Sequence, residues 1–589
     1  MSLPPSRTRS FLALLGRLVV ACLLAAPAPR AGAASSGSSS APATLAAWEA
    51  AVARAESQYG ERWGVYVEDL QTGETIYEYF PQRKLIPASN RKIITTGMAL
   101  TILGPDYRFL TEFGLSSPPE PGRAHYHGSL VVRASGDPAI AFPGLRHEPR
   151  DPLTLFRGWA QALKDEGIAF VYGDLIVDAS AFGADQNQWP DVWSEHHQQY
   201  SYAAVPSAFA AHENQLRVKV SPASGGGKGL LDFFPSRQGI VFSNQTRTIY
   251  EGYSGVNAEF NALGELIVTG RIRSGRDGEV LMVPMLKPLD YFAALMRQAF
   301  TDAGIQILGS TMIQTERSRE QPPPFIQKRL AQHDSPSLNE LLEYMMLRSN
   351  NFMAEQIWRA AAARTRGVGD RNGARQVEQA WYADLGLPWI EPGWDGSGLS
   401  RRNQITPKDL ALVLRRMHGT AYREFLLAAM PSSGRTGTLR NRSFSSEDER
   451  VVAKTGTLSG VSALSGFVFD KQGQPRYVFS VMGNADRETH GRLSTRINSL
   501  IRLLIRRLDA GPALTVAAQP EPALPTDAEL LEQKLGDLPL EPREIEAALQ
   551  PVLAVPGNLP LDVSTDEQIL QDRLRVLQPT PDLKSKTNP

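Results

Sequence analysis

Cysteine is almost missing from this chain: 589 residues hold one, Cys22. Disulfides are therefore excluded as its means of staying folded, and thiol chemistry as its means of reacting. Net charge is missing as well, since 62 basic residues meet 62 acidic ones. No global field is left to hold nucleic acid or an anionic membrane surface, and nucleic acid is set aside as a partner. There is no G-x-S-x-G elbow, which argues against an α/β-hydrolase. Gly225-Gly226-Gly227-Lys228-Gly229 lacks the spacing of a phosphate loop. His125-x-His127 has no evident third ligand, and neither does Glu195-His196-His197, so no metal and no cofactor are expected.

Long apolar runs are also lacking. The run Leu18 to Ala26 follows Arg7, Arg9 and Arg17 and precedes small-residue sites at Ala26-Pro27-Ala28 and Ala31-Gly32-Ala33. Residues 1–33 read as a secretory signal peptide, too short and wrongly flanked for a lasting membrane anchor. Cys22 sits inside it, and only Leu18 to Ala21 separate it from Arg17, which is a poor lipoprotein box. Export without disulfides implies a periplasmic protein of a bacterial envelope, with a core large enough to stabilise it without staples.

What is present has a clear order. After a linker at 34–43, Leu45 to Ala55 reads as a helix, and Gly64 to Glu68 and Thr75 to Tyr79 as two strands of a hairpin. Residues 111–320 change texture, with short apolar runs such as Ser129 to Val132 and Asp174 to Val177 between Gly and Pro turns. They read as a mostly β insertion. Helical spacing returns at Leu338, Leu341, Leu342, Met345 and Met346, strands near Val451 and at Tyr477 to Val481, and a final amphipathic helix from Leu493 to Leu508. The parts 44–110 and 321–508 are thus expected to close one discontinuous α/β domain around the insertion. Residues 509–589, rich in Pro, Leu and acidic residues, are expected to be a mostly disordered tail.

Three short motifs carry candidate chemistry. In Ile86-Pro87-Ala88-Ser89-Asn90-Arg91-Lys92, Ser89 stands where a helix cap would stand, yet three-residue spacing also brings its hydroxyl within reach of the Lys92 amine. Arg348-Ser349-Asn350-Asn351 interrupts a helical stretch, as a plain surface break would. Val452 to Leu458 contains Lys454-Thr455-Gly456-Thr457, which also suits an edge strand guarded by a lysine. Together, S-x-x-K, S-x-N and K-T-G in this order form the signature of serine acyl-transferases that bind penicillin. Ser89 would be the nucleophile at a helix N-terminus, and Lys92 its base. Lowering a lysine pKa from about 10.4 to near 7 costs about 4 to 5 kcal/mol, which calls for burial and for a second cation, Lys454, in the same cleft. Ser349 would relay a proton to the leaving amine, and Asn351 would orient a substrate amide. Lys454 and Thr455 would grip a carboxylate. Gly456 would admit substrate backbone to the strand, and the Ser89 and Thr457 amides would form an oxyanion hole. A peptide laid along that strand would bind by β-augmentation.

With these motifs in place, the chain resembles the class C low-molecular-mass penicillin-binding proteins, the S13 family of D-alanyl-D-alanine carboxypeptidases and endopeptidases. Ser135-Gly136-Asp137-Pro138, Gly173-Asp174-Leu175 with Asp178, Asp395-Gly396-Ser397-Gly398-Leu399-Ser400-Arg401, Gly437-Thr438-Leu439 and the long gap between Ser89 and Ser349 extend the likeness over residues 44 to 508. The resemblance implies a three-layer α/β/α transpeptidase-like domain, akin to β-lactamases, with mostly β inserted domains after the nucleophile helix. It implies cleavage of D-Ala-D-Ala bonds in peptidoglycan stem peptides or cross-links through an acyl-serine, and acylation by β-lactam antibiotics. It places Arg401 near the substrate side chain, together with an acidic residue of the insertion for which Asp178 and Asp185 are the candidates. Where the family pattern expects S-D-N, this chain has Ser349-Asn350-Asn351.

Two rivals remain at this stage. One is a β-lactamase or esterase of the same fold, but the only Leu-Asn pair, Leu338-Asn339, has Ser335 where a class A deacylating glutamate would stand. The other is a catalytically silent peptidoglycan-binding scaffold, which has no need of a serine paired with a lysine on an apolar helix.

Overall fold

Thr44 caps the first helix: its hydroxyl accepts the Ala47 amide, the helix runs over Leu45–Tyr59, and Gly60 ends it in the left-handed region at φ 63°. The computed structural model describes residues 44–511 apart from 143, 146–149, 317–323, 448 and 487–489. The signal peptide, the linker, Cys22 and the tail beyond 511 lie outside the described residues.

The first strand, Glu61–Asp69, is buried almost throughout. Alternation sends Trp63, Val65 and Val67 to one side of the sheet and Tyr66 to the other. It pairs antiparallel with Thr75–Tyr79 on one side and with Pro475–Ala485 on the other, Val65 facing Val481. The front and back of the chain therefore share one sheet, in the order Val451–Leu458, Val461–Phe469, Pro475–Ala485, Glu61–Asp69, Thr75–Tyr79.

Each face of this sheet is covered by helices. Trp48 and Val52 of the first helix and Leu493, Ile497, Leu500, Ile501 and Leu504 of the last, His490–Ala510, bury one face. Helices Arg91–Ile102, Asn351–Arg366 and Pro407–His418 cover the other, with Ile93, Met98, Ile357, Leu410 and Leu414 in one cluster with Phe467 and Met482. This is the expected three-layer α/β/α arrangement.

The inserted region is mostly β. Its largest sheet has the order Thr311–Gln314, Leu175–Asp178, Leu130–Arg133, Leu110–Leu115, Lys328–Asp334, and the first three of these strands run parallel. Two three-stranded sheets lie further along, over residues 215–284. Two findings correct the sequence reading. The last strand of the large sheet, Lys328–Asp334, lies past the boundary expected at 320. Helices Pro152–Asp165 and Pro288–Asp302 were not anticipated, although Asp151 caps a first turn that begins with proline, and Phe156, Trp159, Ala160 and Leu163 keep helical spacing. Parallel strands need such crossovers. Among the described residues, no helix is long and apolar enough to cross a membrane.

Candidate active site

The S-x-x-K motif folds as a single 3-10 turn, Ala88–Asn90, leading into helix Arg91–Ile102. Ser89 does not serve as the helix cap. Its Oγ instead accepts from Lys92 Nζ at 2.9 Å. Lys92 is fully buried, and its Nζ also donates to Asn351 Oδ1 at 2.6 Å and to the Ser397 carbonyl at 2.7 Å. Two glycines let neighbouring segments close on this turn. A Cβ at Gly398, where φ is +86°, would lie 1.9 Å from the Ala88 carbonyl oxygen, and one at Gly456 would lie 2.4 Å from that of Pro87. Gly456 is therefore required for contact with the Ser89 turn, a packing reason that stands beside the approach of substrate backbone expected from the sequence. Gly456→Ala is expected to cost about 1 to 3 kcal/mol through overpacking against backbone, and to slow acylation because Ser89 must shift with Pro87. Thermal melting and penicillin labelling measured together check both halves.

The second motif is a break between helices with a purpose. Leu338–Arg348 begins with a capping box of Ser337 and Glu340 and ends at Ser349, held left-handed at φ 57°. Such a conformation is costly for serine and tends to persist at functional positions. Asn350 then caps helix Asn351–Arg366 through the Met353 amide at 2.8 Å. Ser349 Oγ accepts from Lys454 Nζ at 2.9 Å, so the third motif meets the second. Lys454 is fully buried and also reaches the Thr455 carbonyl at 2.9 Å, while Thr455 Oγ1 donates to Thr438 Oγ1 at 2.8 Å. The strand that carries K-T-G is an edge strand. It pairs along its length with Val461–Phe469 and on its other side makes an isolated bridge, Val452 to Ser432.

Burial dominates the electrostatics. It lowers Lys92 to about 7, against the opposing pull of Asp395 and Glu355. Burial also depresses Lys454, and here the Lys92 charge adds to the effect. The repulsion anticipated from Lys454 onto Lys92 thus falls on Lys454 instead. Glu355, one helical turn beyond Asn351, is raised to about 7 by burial and by Asp395, while its bond to the Ser397 amide, 2.8 Å, works the other way.

Sequence reasoning gave no role to the residues that hold this centre, although it named Asp395 and Arg91 within its motifs. Asp395 is a hub, accepting from the amides of Gly398 at 2.7 Å and Ser400 at 2.6 Å, from Asn403 Nδ2 at 2.8 Å and from Trp193 Nε1 at 2.9 Å. It shapes the loop that presents the Ser397 carbonyl to Lys92. Arg91 Nε donates to the Asp395 carbonyl at 2.9 Å, and its guanidinium pairs with the buried Glu378.

The two acidic candidates of the insertion are engaged elsewhere. Asp178 is buried, accepting from the Ser180 amide at 3.1 Å, with Arg133 Nε 3.8 Å away. Asp185 accepts from Arg359 at 2.7 and 3.3 Å and from the Arg371 amide at 3.0 Å. Asp185 is thus held by protein donors, while Asp178 has Oδ1 on Ser180 and Oδ2 without a hydrogen-bond partner, and none of these contacts joins either residue to the three motifs. The stretch of the insertion that does reach the motifs is Trp193 to Tyr202. The Tyr202 carbonyl accepts from Asn351 Nδ2 at 2.9 Å, and Val192, Trp193 and Ala203 pack with Leu399 and Leu458. Tyr200 and Tyr202 stack with centroids 5.2 Å apart, and His197 Nδ1 meets the Tyr202 hydroxyl at 2.9 Å. Arg401 is at the same end, donating to the Ser459 carbonyl, and after burial and His196 it contributes to keeping His197 low.

A serine and a lysine in contact on a buried helix start, adjoined by a second serine and lysine where the edge strand of an α/β/α domain meets a helix end, define a serine hydrolase of the penicillin-recognising kind. The chain belongs to the D-Ala-D-Ala carboxypeptidase 3 (S13) family, whose model matches residues 46–503. It is 31% identical over 441 residues to the D-alanyl-D-alanine carboxypeptidase of Actinomadura sp. (strain R39), covering 72% of this chain and 77% of that one. To the D-alanyl-D-alanine carboxypeptidase DacB of Haemophilus influenzae it is 24% identical over 426 residues, covering 70% and 84%. The crystal structure of penicillin binding protein 4 (dacB) from Haemophilus influenzae has the same fold, with a TM-score of 0.63 at 22% identity over 76% of this chain and 98% of that one. The chain is a serine-type D-Ala-D-Ala carboxypeptidase.

Proposed function

We propose that this enzyme trims peptidoglycan in the periplasm with Ser89 as nucleophile and Lys92 as base, acting on stem-peptide termini, on D,D-cross-links, or on both. The observation that carries the reading is the 2.9 Å contact between Lys92 Nζ and Ser89 Oγ, inside a site where burial brings the amine near neutrality. Ser89 Oγ attacks the D-alanyl carbonyl carbon as its proton passes to Lys92. The amide C–N bond then breaks, and the departing amine takes a proton through Ser349. Water attacks the resulting ester and frees Ser89. The amides of Ser89 and Thr457 face the developing oxyanion, and the substrate strand lies along the edge strand Val451–Leu458.

Lys454 and Thr455 receive the terminal carboxylate. An arriving anion draws the depressed Lys454 pKa back up and so holds the lysine charged at the moment of binding. Arg401, with the stretch Trp193 to Tyr202, walls the end of the cleft where the side chain of the third stem-peptide residue lies. A strained β-lactam amide in place of the peptide leaves an acyl-serine; a Haemophilus influenzae penicillin binding protein 4 structure was determined complexed with a β-lactam.

Intact-mass measurement after incubation with benzylpenicillin is expected to show one stoichiometric adduct, and D-alanine to be released from a pentapeptide. No adduct and no D-alanine would sink the reading. Cleavage of a cross-linked dimer, compared with pentapeptide turnover, then gives the endopeptidase share.

A further inference from the structure

The insertion reaches the catalytic motifs at a second point. His212, Glu213 and Asn214 are consecutively left-handed, with φ of 50°, 56° and 54°. For residues other than glycine this costs about 1 to 2 kcal/mol each, so the surroundings must impose it. His212 Nδ1 meets the Gln215 carbonyl at 3.0 Å, and Asn214 Nδ2 donates to the Val205 carbonyl and to Ser207 Oγ, both at 2.8 Å. The turn pinned in this way aims the Glu213 carboxylate at Asn350, whose Nδ2 donates to it.

Asn350 is the middle residue of S-N-N. Its Oδ1 accepts the Met353 amide at 2.8 Å, so both ends of its amide are taken and its orientation is fixed. The residue before it, Ser349, receives Lys454; the residue after it, Asn351, receives Lys92 and itself donates to the Tyr202 carbonyl of the insertion. We propose that Glu213 is a positioning residue of the reaction: through Asn350 it sets where Ser349 Oγ and Asn351 Oδ1 meet the two lysines. This rests on the roles proposed above for Ser349 and Asn351. It also gives a chemical reason for asparagine at 350. An aspartate there could still cap the helix but would set a second carboxylate against Glu213 in place of a donor. Tyr344, on the preceding helix, is the other titratable group facing this carboxylate, with Arg348 beyond it. Burial already pushes the Glu213 pKa up, and the Asn350 bond pulls it down.

The test is a swap. Second-order rate constants for penicillin acylation are measured for wild type, Glu213→Ala, Glu213→Gln, Asn350→Asp and the double variant Glu213→Gln/Asn350→Asp, with melting temperatures alongside. Glu213→Ala and Asn350→Asp are expected to acylate about tenfold more slowly, as the loss of one buried charge-assisted hydrogen bond implies. Glu213→Gln retains the rate, because its Oε1 accepts from the same Nδ2. The double variant regains most of the rate lost in Asn350→Asp, because the glutamine turns over and donates to the new carboxylate. A merely structural role would lower melting temperatures without this rescue of rate. The proposal is overturned if Glu213→Ala acylates at the wild-type rate, or if the double variant is no faster than Asn350→Asp. Should Glu213→Ala fail to fold, the swap pair, which preserves side-chain volume, decides alone. Failure of the underlying reading looks different: wild type itself would then take up no penicillin.

Discussion

Ser89→Ala is expected to take up no labelled penicillin and to release D-alanine at least about 10^4-fold more slowly than wild type, as removal of a serine nucleophile does elsewhere. The fold should persist. Ser89 is half-buried, and its hydroxyl meets Lys92, which keeps two further acceptors, Asn351 Oδ1 and the Ser397 carbonyl. The loss is therefore about one hydrogen bond, roughly 1 kcal/mol, with a melting shift of a few degrees. The variant also tests a competing assignment, because Ser349 lies just as close to Lys454 as Ser89 does to Lys92, 2.9 Å in each case. Both serines precede a helix N-terminus, Ser89 that of Arg91–Ile102 and Ser349 that of Asn351–Arg366. Ser349 is also the left-handed cap at the C-terminus of Leu338–Arg348, whose carbonyls disfavour an oxyanion, and this favours Ser89. If Ser89→Ala retains a covalent adduct and peptide mapping puts it on Ser349, the two serines have exchanged roles.

How much of this was legible before folding depended on range. The motifs were readable because each packs its chemistry into neighbouring positions, and their order made the set distinctive. The sheet that joins the two ends of the chain could be read from strand and helix periods, since its central strands are buried on both faces and carry apolar runs such as Val65 to Val67 and Tyr477 to Val481. What stayed hidden was satisfaction at a distance. Nothing near Asp185 in sequence says that Arg359 will occupy its oxygens, and nothing near Asp395 announces Trp193. The left-handed turn at Glu213 has no glycine to mark it, so its approach to Asn350 left no trace in the sequence. Helix Pro152–Asp165 is a different kind of miss: its signal was present, but the surrounding glycines and prolines drowned it.

The acylation rate should rise with pH through about 7 and level off, with the slope of one proton, because the base must be the neutral amine and burial sets Lys92 there. Lys92→Arg, which cannot shed its proton, should lose about 10^3-fold or more at every pH, with no such limb. The same burial has a consequence for stability whose sign is fixed. Lys92 titrates near 7 in the folded enzyme and near 10.5 in the unfolded chain, so between these values the unfolded state holds a proton that the native state lacks. Stability from this group therefore increases as pH rises from 7 to 10.5, and below 7 the native state carries the full cost of a buried charge, about 5 kcal/mol. Lys92→Met removes both the charge and that dependence. Relative to wild type, its unfolding free energy should be most favourable below pH 7, and the advantage should shrink steadily toward pH 10, although three hydrogen bonds are lost at every pH. Denaturant unfolding of the two proteins across that range reads the difference directly. A difference that is flat with pH, or an acylation limb near 10, would mean that Lys92 holds its proton in the folded enzyme, and the base would have to be sought elsewhere.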